Sequence, residues 1–217
     1  MMLHSAEMRW FFVGPAPEWV PEWFDAGEGR LPERLEKLRT DSYLIFFGSS
    51  GVGVKLREAP GKGHLNFEIK ALRSAPRTVE PRPGILGKAD AWVKWSVELP
   101  VAEDLRQTMR EGSRWIDVEK KRWLLKYELK ADAAPKEVLK EARPDEGCNV
   151  ELTELVVVGS HWWTIGFEAF GRPERVDGHL LASLETFFSG SRAKIPCPLL
   201  EANSLSYPSW FANIGVV

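Results

Sequence analysis

Charged and apolar residues alternate with a period of two in several segments of this chain. Between residues 5 and 13, Ser5, Glu7 and Arg9 alternate with apolar residues. Because successive side chains of a β-strand point to opposite faces of the sheet, this pattern predicts a strand with one polar and one apolar face. The same alternation recurs at residues 52–57, 65–71, 93–98, 120–129 and 163–169. The chain is therefore predicted to form a sheet whose two faces differ in polarity.

Weaker patterns predict the remaining elements. Residues 42–47 and 148–158 are interpreted as strands, and a β-bulge is expected in the second because Glu151 and Glu154 differ in parity. Helices are predicted at residues 31–39, 102–110, 134–141 and 176–188, the last with large apolar residues at helical spacing. About eight strands with helical insertions indicate an α+β protein built on a closed antiparallel eight-stranded β-barrel, with the helices packed outside.

Composition excludes several classes of protein. A length of 217 residues suits one all-β barrel, so residues 1–217 are interpreted as a single domain. The formal net charge of −2 gives no bulk attraction to nucleic acid or to an anionic membrane. Cys148 and Cys197 are too few for a disulfide framework, and no apolar run approaches the roughly 18 residues that span a bilayer. We expect a cytoplasmic protein with no membrane or nucleic-acid partner.

The charged face of the sheet is compatible with two architectures, a solvated sheet surface and the interior of a closed barrel. Its content favours the interior, because both cations and carboxylates recur on it. The cations are Arg9, Lys55, Arg57, Lys70, Lys94, Lys120, Arg122 and Lys126, and the carboxylates are Glu7, Glu68, Glu98, Glu128, Glu151 and Glu168. Buried unpaired charge costs several kcal/mol or more, so such an interior must hold water, counter-charges or an anionic ligand.

Seven segments resemble, in the same order, the motifs of one known family. They are residues 7–12, 39–44, 53–58, 67–70, 118–123, 148–155 and 163–169. These segments are similar to the motifs of the CYTH superfamily, the triphosphate tunnel metalloenzymes. Those motifs are an opening Glu-x-Glu-x-Lys, then Asp-x-Tyr-Leu, a basic Arg-x-Arg, a strand ending in Lys, Lys-x-Arg, and two late acidic strands. The resemblance covers roughly residues 5–170 and supports closure of the barrel.

The resemblance implies a tunnel that binds triphosphates or other phosphorylated ligands with Mg²⁺ or Mn²⁺ held by glutamates. Carried over by position, phosphate would be contacted by Arg9, Lys55, Arg57, Lys70, Lys120 and Arg122, and we add Lys94 from the same polar face. The metal would be held by Glu7, Glu151 and Glu168, with Glu7 and Glu168 as the catalytic residues.

The chain departs from the family pattern at four positions. Ser5 and Gly166 stand where the family has glutamates, which removes two carboxylates and predicts a weaker metal site. Arg9 replaces a lysine and Lys55 replaces an arginine, and neither exchange is neutral because only a guanidinium makes bidentate contacts.

Three functions follow as hypotheses. The first is a Mg²⁺- or Mn²⁺-dependent hydrolase of a triphosphate or polyphosphate. The second is a non-catalytic tunnel that binds a phosphorylated small molecule, a polyphosphate or another anion. The third is a partner-binding barrel whose charges form internal ion pairs. In each case, the aromatic tail at residues 205–214 is expected to cover one end of the barrel.

Overall fold

Eight antiparallel strands form a closed barrel. The computed structural model describes residues 2–26, 35, 38–46, 49–59, 64–100, 111, 114–131, 133–194 and 197–215. Its strands are β1 (Met2–Val13), β2 (Arg39–Leu44), β3 (Val52–Ala59), β4 (His64–Leu72), β5 (Arg77–Arg82), β6 (Ile85–Pro100), β7 (Trp115–Glu128), β8 (Lys136–Val138), β9 (Gly147–Val157) and β10 (Ser160–Gly171). The ring order is β1-β10-β9-β7-β2-β3-β4-β6, and β6 pairs back to β1. The predicted eight-stranded barrel is therefore confirmed.

The outer, apolar face of the barrel packs under a helix. Helices α1 (Trp19–Asp25) and α2 (Val176–Phe187) lie outside the ring, and α2 was predicted from its spacing. Buried residues of α2, including Leu184 and Phe187, share one core with Met8, Trp10 and Ile165 of the outer strand faces. Burial of this apolar surface favours closure with the apolar face outward and the charged face inward.

The segment after α2 seals the barrel where β1 and β6 stop pairing with each other. Direct pairing of these strands ends at Glu7 opposite Asp90. Beyond that point the Leu86 amide donates to the Leu199 carbonyl at 2.8 Å, and the Leu205 amide donates to the Arg9 carbonyl at 2.9 Å. These hydrogen bonds satisfy backbone groups that an open seam would leave unpaired.

The C-terminal helix α3 (Tyr207–Asn213) covers one end of the barrel. It begins after Ser206, whose hydroxyl accepts from the Ser209 amide at 3.3 Å, and a proline in its first turn suits a helix start. Its Trp210 and Phe211 join a buried cluster with residues near the carboxyl ends of β1, β2 and β9. Since these three strands run in the same direction, α3 lies across the end at which they finish. This agrees with the expected position of the aromatic tail.

Two local predictions were wrong. Residues 134–141 include strand β8 instead of a helix, because β8 pairs with Lys126–Glu128, a part of β7 that extends beyond its pairing with β2. The expected β-bulge in β9 is absent from the described residues, since β9 pairs in continuous register with both neighbours. Glu154 instead lies on the outer face, 3.3 Å from Lys121.

Other predicted helices lie wholly or mostly outside the described residues. Residues 102–110 lie wholly outside them. Of residues 31–39, only Leu35, Leu38 and Arg39 are described. Arg39 begins β2. Within the described part of the chain, no helix is both long enough and apolar enough to cross a membrane.

Candidate functional site

The barrel encloses a cavity of about 550 Å³ that all eight ring strands and α3 line. Among the described residues, ten cationic side chains line it, namely Arg9, Arg39, Lys55, Arg57, Lys70, Lys94, Lys120, Arg122, Lys126 and Lys140. Five carboxylates of the same described set line it, namely Glu7, Asp41, Glu68, Glu151 and Glu168. The described part of the lining therefore carries a formal excess of five positive charges. All of the predicted phosphate-binding, metal-binding and catalytic residues lie in this one cavity; their roles remain predictions.

Glu151 is held by two arginines. Arg9 donates to it at 2.7 Å and also to the Thr164 hydroxyl at 2.9 Å, and Arg122 donates to the other carboxylate oxygen. Burial of Glu151 acts to raise its pKa, but the attraction of Arg122 and Arg9 outweighs burial and holds the pKa well below the usual range. Glu151 is thus an anion whose hydrogen-bonding capacity is largely used by its own neighbours.

Glu7 and Glu168 face each other across the β1–β10 pair, and each binds a lysine. Lys70 lies 2.7 Å from Glu7, and the Ser5 hydroxyl donates to Glu7 at 3.1 Å. Lys94 lies 3.1 Å from Glu168, and its charge lowers the pKa of Glu168. All three predicted metal ligands are therefore engaged with cations. Among the described residues, no group of three or more carboxylate, histidine or cysteine side chains is arranged to hold a metal ion.

The backbone of Gly166 provides space for Arg9. These residues are cross-strand partners, and a Cβ built at position 166 would overlap the Arg9 guanidinium. The absent side chain lets the guanidinium lie flat against β10, where it reaches both Thr164 and Glu151. The Arg9 guanidinium thus occupies the space that a side chain at position 166 would fill.

Near the α3 end, Lys120 and Asp41 form an ion pair at 3.0 Å. Their side chains are 4% and 0% exposed, and Lys120 also donates to the hydroxyl of Tyr43. Burial is the main cause that lowers the pKa of Lys120 to about 7, and the positive charge of Arg39 contributes. Burial acts to raise the pKa of Asp41, but the attraction of Lys120 outweighs it and leaves the pKa well below the usual range.

A second group of charges joins β3 to β4. Lys55 lies 2.8 Å from Glu68, which also lies 3.7 Å from Arg57. Burial, followed by repulsion from Arg57, lowers the pKa of Lys55 to about 8. Burial of Glu68 acts to raise its pKa, but the attraction of Lys55 and Arg57 lowers it to about 2. The buried Lys120 and the half-buried Lys55 therefore lose protons far more readily than free lysine does.

Several cavity residues were not anticipated as functional from the sequence. Tyr207 of α3 stacks on Tyr43 with ring centroids 5.2 Å apart, and its ring lies 4.1 Å from the Lys120 amine. The alternation within the strands gives no sign that Tyr207, which follows the last strand in sequence, would reach the barrel interior. Asp90 is not among the described cavity residues, but it was also missed as a neighbour of Glu7, although it shares the parity of Lys94. Asp90 pairs with Glu7 in register; burial, followed by repulsion from Glu7, raises its pKa to about 6.

Comparisons with known proteins bear on the fold. No protein-family model matches the chain, and no curated protein matches it. The solved structure of the PH1819 protein from Pyrococcus horikoshii OT3 is 13% identical, with a TM-score of 0.52, and the match covers 97% of this chain and 99% of that one. A conserved hypothetical protein from Pyrococcus furiosus is 11% identical, with a TM-score of 0.46, over 86% and 91% of the two chains. The likeness to the PH1819 structure, at 13% identity, shows a shared fold alone.

Proposed function

We propose that the barrel interior binds a phosphorylated anion of the triphosphate or polyphosphate class. The observation that carries this proposal is the imbalance of ten cations against five carboxylates among the described residues that line one cavity. Like charges confined in a poorly solvated space repel one another. Burial is the main cause that lowers the pKa values of Lys55 and Lys120, and repulsion from Arg57 and Arg39, respectively, adds to it. A bound polyanion offsets the excess and favours the charged form of both lysines.

The types of cation also suit phosphate. Arg9, Arg57 and Arg122 line the cavity, and a planar guanidinium makes paired hydrogen bonds to phosphate oxygens. Lysines at positions 55, 70 and 94 add point charges on the neighbouring strands. The resemblance of these strands to the CYTH motifs, which bind triphosphates, supports the same class of ligand.

The carboxylates do not fit the divalent metal that the resemblance implies. Mg²⁺ requires near-octahedral oxygen coordination, whereas Glu7, Glu151 and Glu168 already bind lysine or arginine. Where the family pattern has a further glutamate, Gly166 leaves space that the Arg9 guanidinium fills. The proposed binding therefore relies on the protein's own cations and uses no resident metal.

Metal-dependent triphosphate hydrolysis is the second candidate. It is favoured by one specific arrangement, in which Glu7 has Glu168 opposite it on β10 and Asp90 opposite it on β6. These three positions bring acidic groups to adjacent strands despite the departures at Ser5 and Gly166.

Thermal unfolding with tripolyphosphate tests the proposal. A ligand at 100 times its Kd stabilises the folded state by about 2.7 kcal/mol, which raises Tm by roughly 5–10 °C for a chain of this size. Arg57→Ala and Arg122→Ala should reduce that rise. Arg77→Ala is the matched control, because Arg77 is 57% exposed on β5 and pairs with Asp177 at the surface.

The same samples separate binding from hydrolysis. Phosphate release is measured with EDTA, with Mg²⁺ and with Mn²⁺. Stabilisation that persists in EDTA without phosphate release supports metal-free binding. Release that requires the metal and is lost in Glu168→Gln supports the second candidate. No stabilisation by any phosphorylated anion would refute the proposed function.

A further inference from the structure

The cavity has an apolar section at the end that α3 covers. Six residues define it: Ile45 and Phe46 after β2, Val52 at the start of β3, and Pro208, Phe211 and Ala212 of α3. They line the same cavity as the ten cations. The lining thus changes from charged to apolar along one continuous space.

The two parts meet at Gly53. A Cβ at this position would lie 3.2 Å from Cγ of Lys70 and 3.3 Å from Cγ of Pro208. A side chain at position 53 would therefore touch both the aliphatic part of Lys70 and the apolar helix, and the bare backbone of Gly53 leaves that space free. Tyr207, which precedes Pro208, brings its ring to 5.2 Å from the Arg9 guanidinium. A single small molecule is long enough to touch both parts.

The apolar section reaches the protein surface. Phe211 is 2% exposed, whereas Phe46 is 40% exposed at the edge of the cavity. A large aromatic side chain that lines a cavity and is also open to water has unburied apolar surface for a ligand to cover. Burial of that surface would add affinity to whatever the cations contribute.

We infer that the ligand is an amphiphile, a diphosphate or triphosphate monoester of an apolar alcohol, with its phosphates among the barrel cations and its hydrocarbon chain along the apolar section. This inference rests on the proposed function and names the class of organic group attached to the phosphate.

The lining favours a hydrocarbon over a nucleobase. Among the described cavity residues between positions 44 and 54, Ser49 is the one side chain with a hydrogen-bonding group. The helix residues Pro208, Phe211 and Ala212 offer none. A buried base would leave most of its donors and acceptors unpaired, which costs affinity, whereas a hydrocarbon has none to satisfy.

Calorimetric titration of the full chain with n-alkyl diphosphates, from methyl to octyl, tests the inference. Inorganic diphosphate is the reference, and the same alcohols without phosphate are the control for unspecific apolar binding. Each buried methylene should tighten Kd by about fourfold, which corresponds to about 0.8 kcal/mol. Phe46→Ser and Val52→Ser should flatten this dependence. Val97→Ser is the matched control, since Val97 is 53% exposed on β6 and is not among the cavity residues.

The outcomes distinguish this inference from the proposed function. Chain-length dependence that is lost in Phe46→Ser and Val52→Ser and kept in Val97→Ser supports it. Equal affinity for inorganic and alkyl diphosphates, or a full dependence in the two lining variants, overturns it while the proposed function stands. Absence of binding by every phosphorylated compound overturns both. Tighter binding of nucleoside diphosphates than of the octyl compound also overturns it.

Discussion

The affinity of the cavity for an inorganic polyanion should fall steeply as pH rises above 7. The two responsible groups are Lys120, with a pKa of about 7, and Lys55, with a pKa of about 8. Both amines are charged below these pKa values and neutral above them. A bound polyanion stabilises the charged form and raises both pKa values, so the complex takes up protons that the free protein lacks at high pH.

The magnitude follows from the two pKa values. If both lysines are charged in the complex, Kd for tripolyphosphate should increase by up to about 500-fold between pH 7 and pH 9. Lys120 accounts for about 50-fold of this increase and Lys55 for about 10-fold. Lys120→Met should therefore leave an increase of at most about 10-fold, since it also removes a charge that lowers the pKa of Lys55. Lys55→Met should leave an increase of about 50-fold.

Isothermal titration calorimetry at a series of pH values is the assay. The ionisation of the ligand affects every variant equally. The ratio of the Kd of the wild type to the Kd of the Lys55→Met, Lys120→Met double variant therefore isolates the contribution of the two lysines to the pH dependence. Measurement in buffers of different ionisation enthalpy gives the proton uptake directly. A Kd that does not change relative to the double variant from pH 7 to pH 9 would refute the argument that these amines face the ligand.

Two further predictions concern the packing around the cavity. Gly166→Ala should weaken tripolyphosphate binding and lower stability by about 1–3 kcal/mol, because the Arg9 guanidinium must move and its bonds to Thr164 and Glu151 weaken. Unchanged urea denaturation and affinity would contradict this. Phe187→Ala should cost about 3–5 kcal/mol, because Phe187 of α2 is fully buried in the core between this helix and the barrel. Leu181→Ala should change stability by less than about 0.5 kcal/mol, because Leu181 lies on the outer side of α2 and is 38% exposed. If chemical denaturation showed the same loss of unfolding free energy for both variants, Phe187 would not lie in a core between α2 and the barrel.

Much of the barrel was predictable, because the alternation of polar and apolar residues shows which face of each strand packs outward against the helices. Glu7, Arg9, Lys94 and Glu168 were placed on one face from parity alone, and they do meet in one cavity. The pattern could not give the ion pairs, since partners such as Arg9 and Glu151 are 142 positions apart in sequence. Their distances depend on how the strands are staggered around the ring.

The failures have local physical causes. Residues 136–138 have an ambiguous pattern, and pairing with the free edge of β7 outweighed helix propensity there. The β-bulge was introduced to reconcile the parities of Glu151 and Glu154, but none is needed because Glu154 forms an ion pair with Lys121 on the outer face. The interior role of Tyr207 arises from the docking of α3, which no strand periodicity encodes.

A crystal structure with tripolyphosphate would show whether the charged interior is the ligand site. We expect phosphate density inside the barrel, within hydrogen-bonding distance of Arg57, Arg122 and Lys55, at a pH near 7. We also expect Glu151 to keep its bonds to Arg9 and Arg122. Tripolyphosphate bound only outside the barrel, under conditions where calorimetry shows saturation, would contradict the claim that the charged interior is the ligand site.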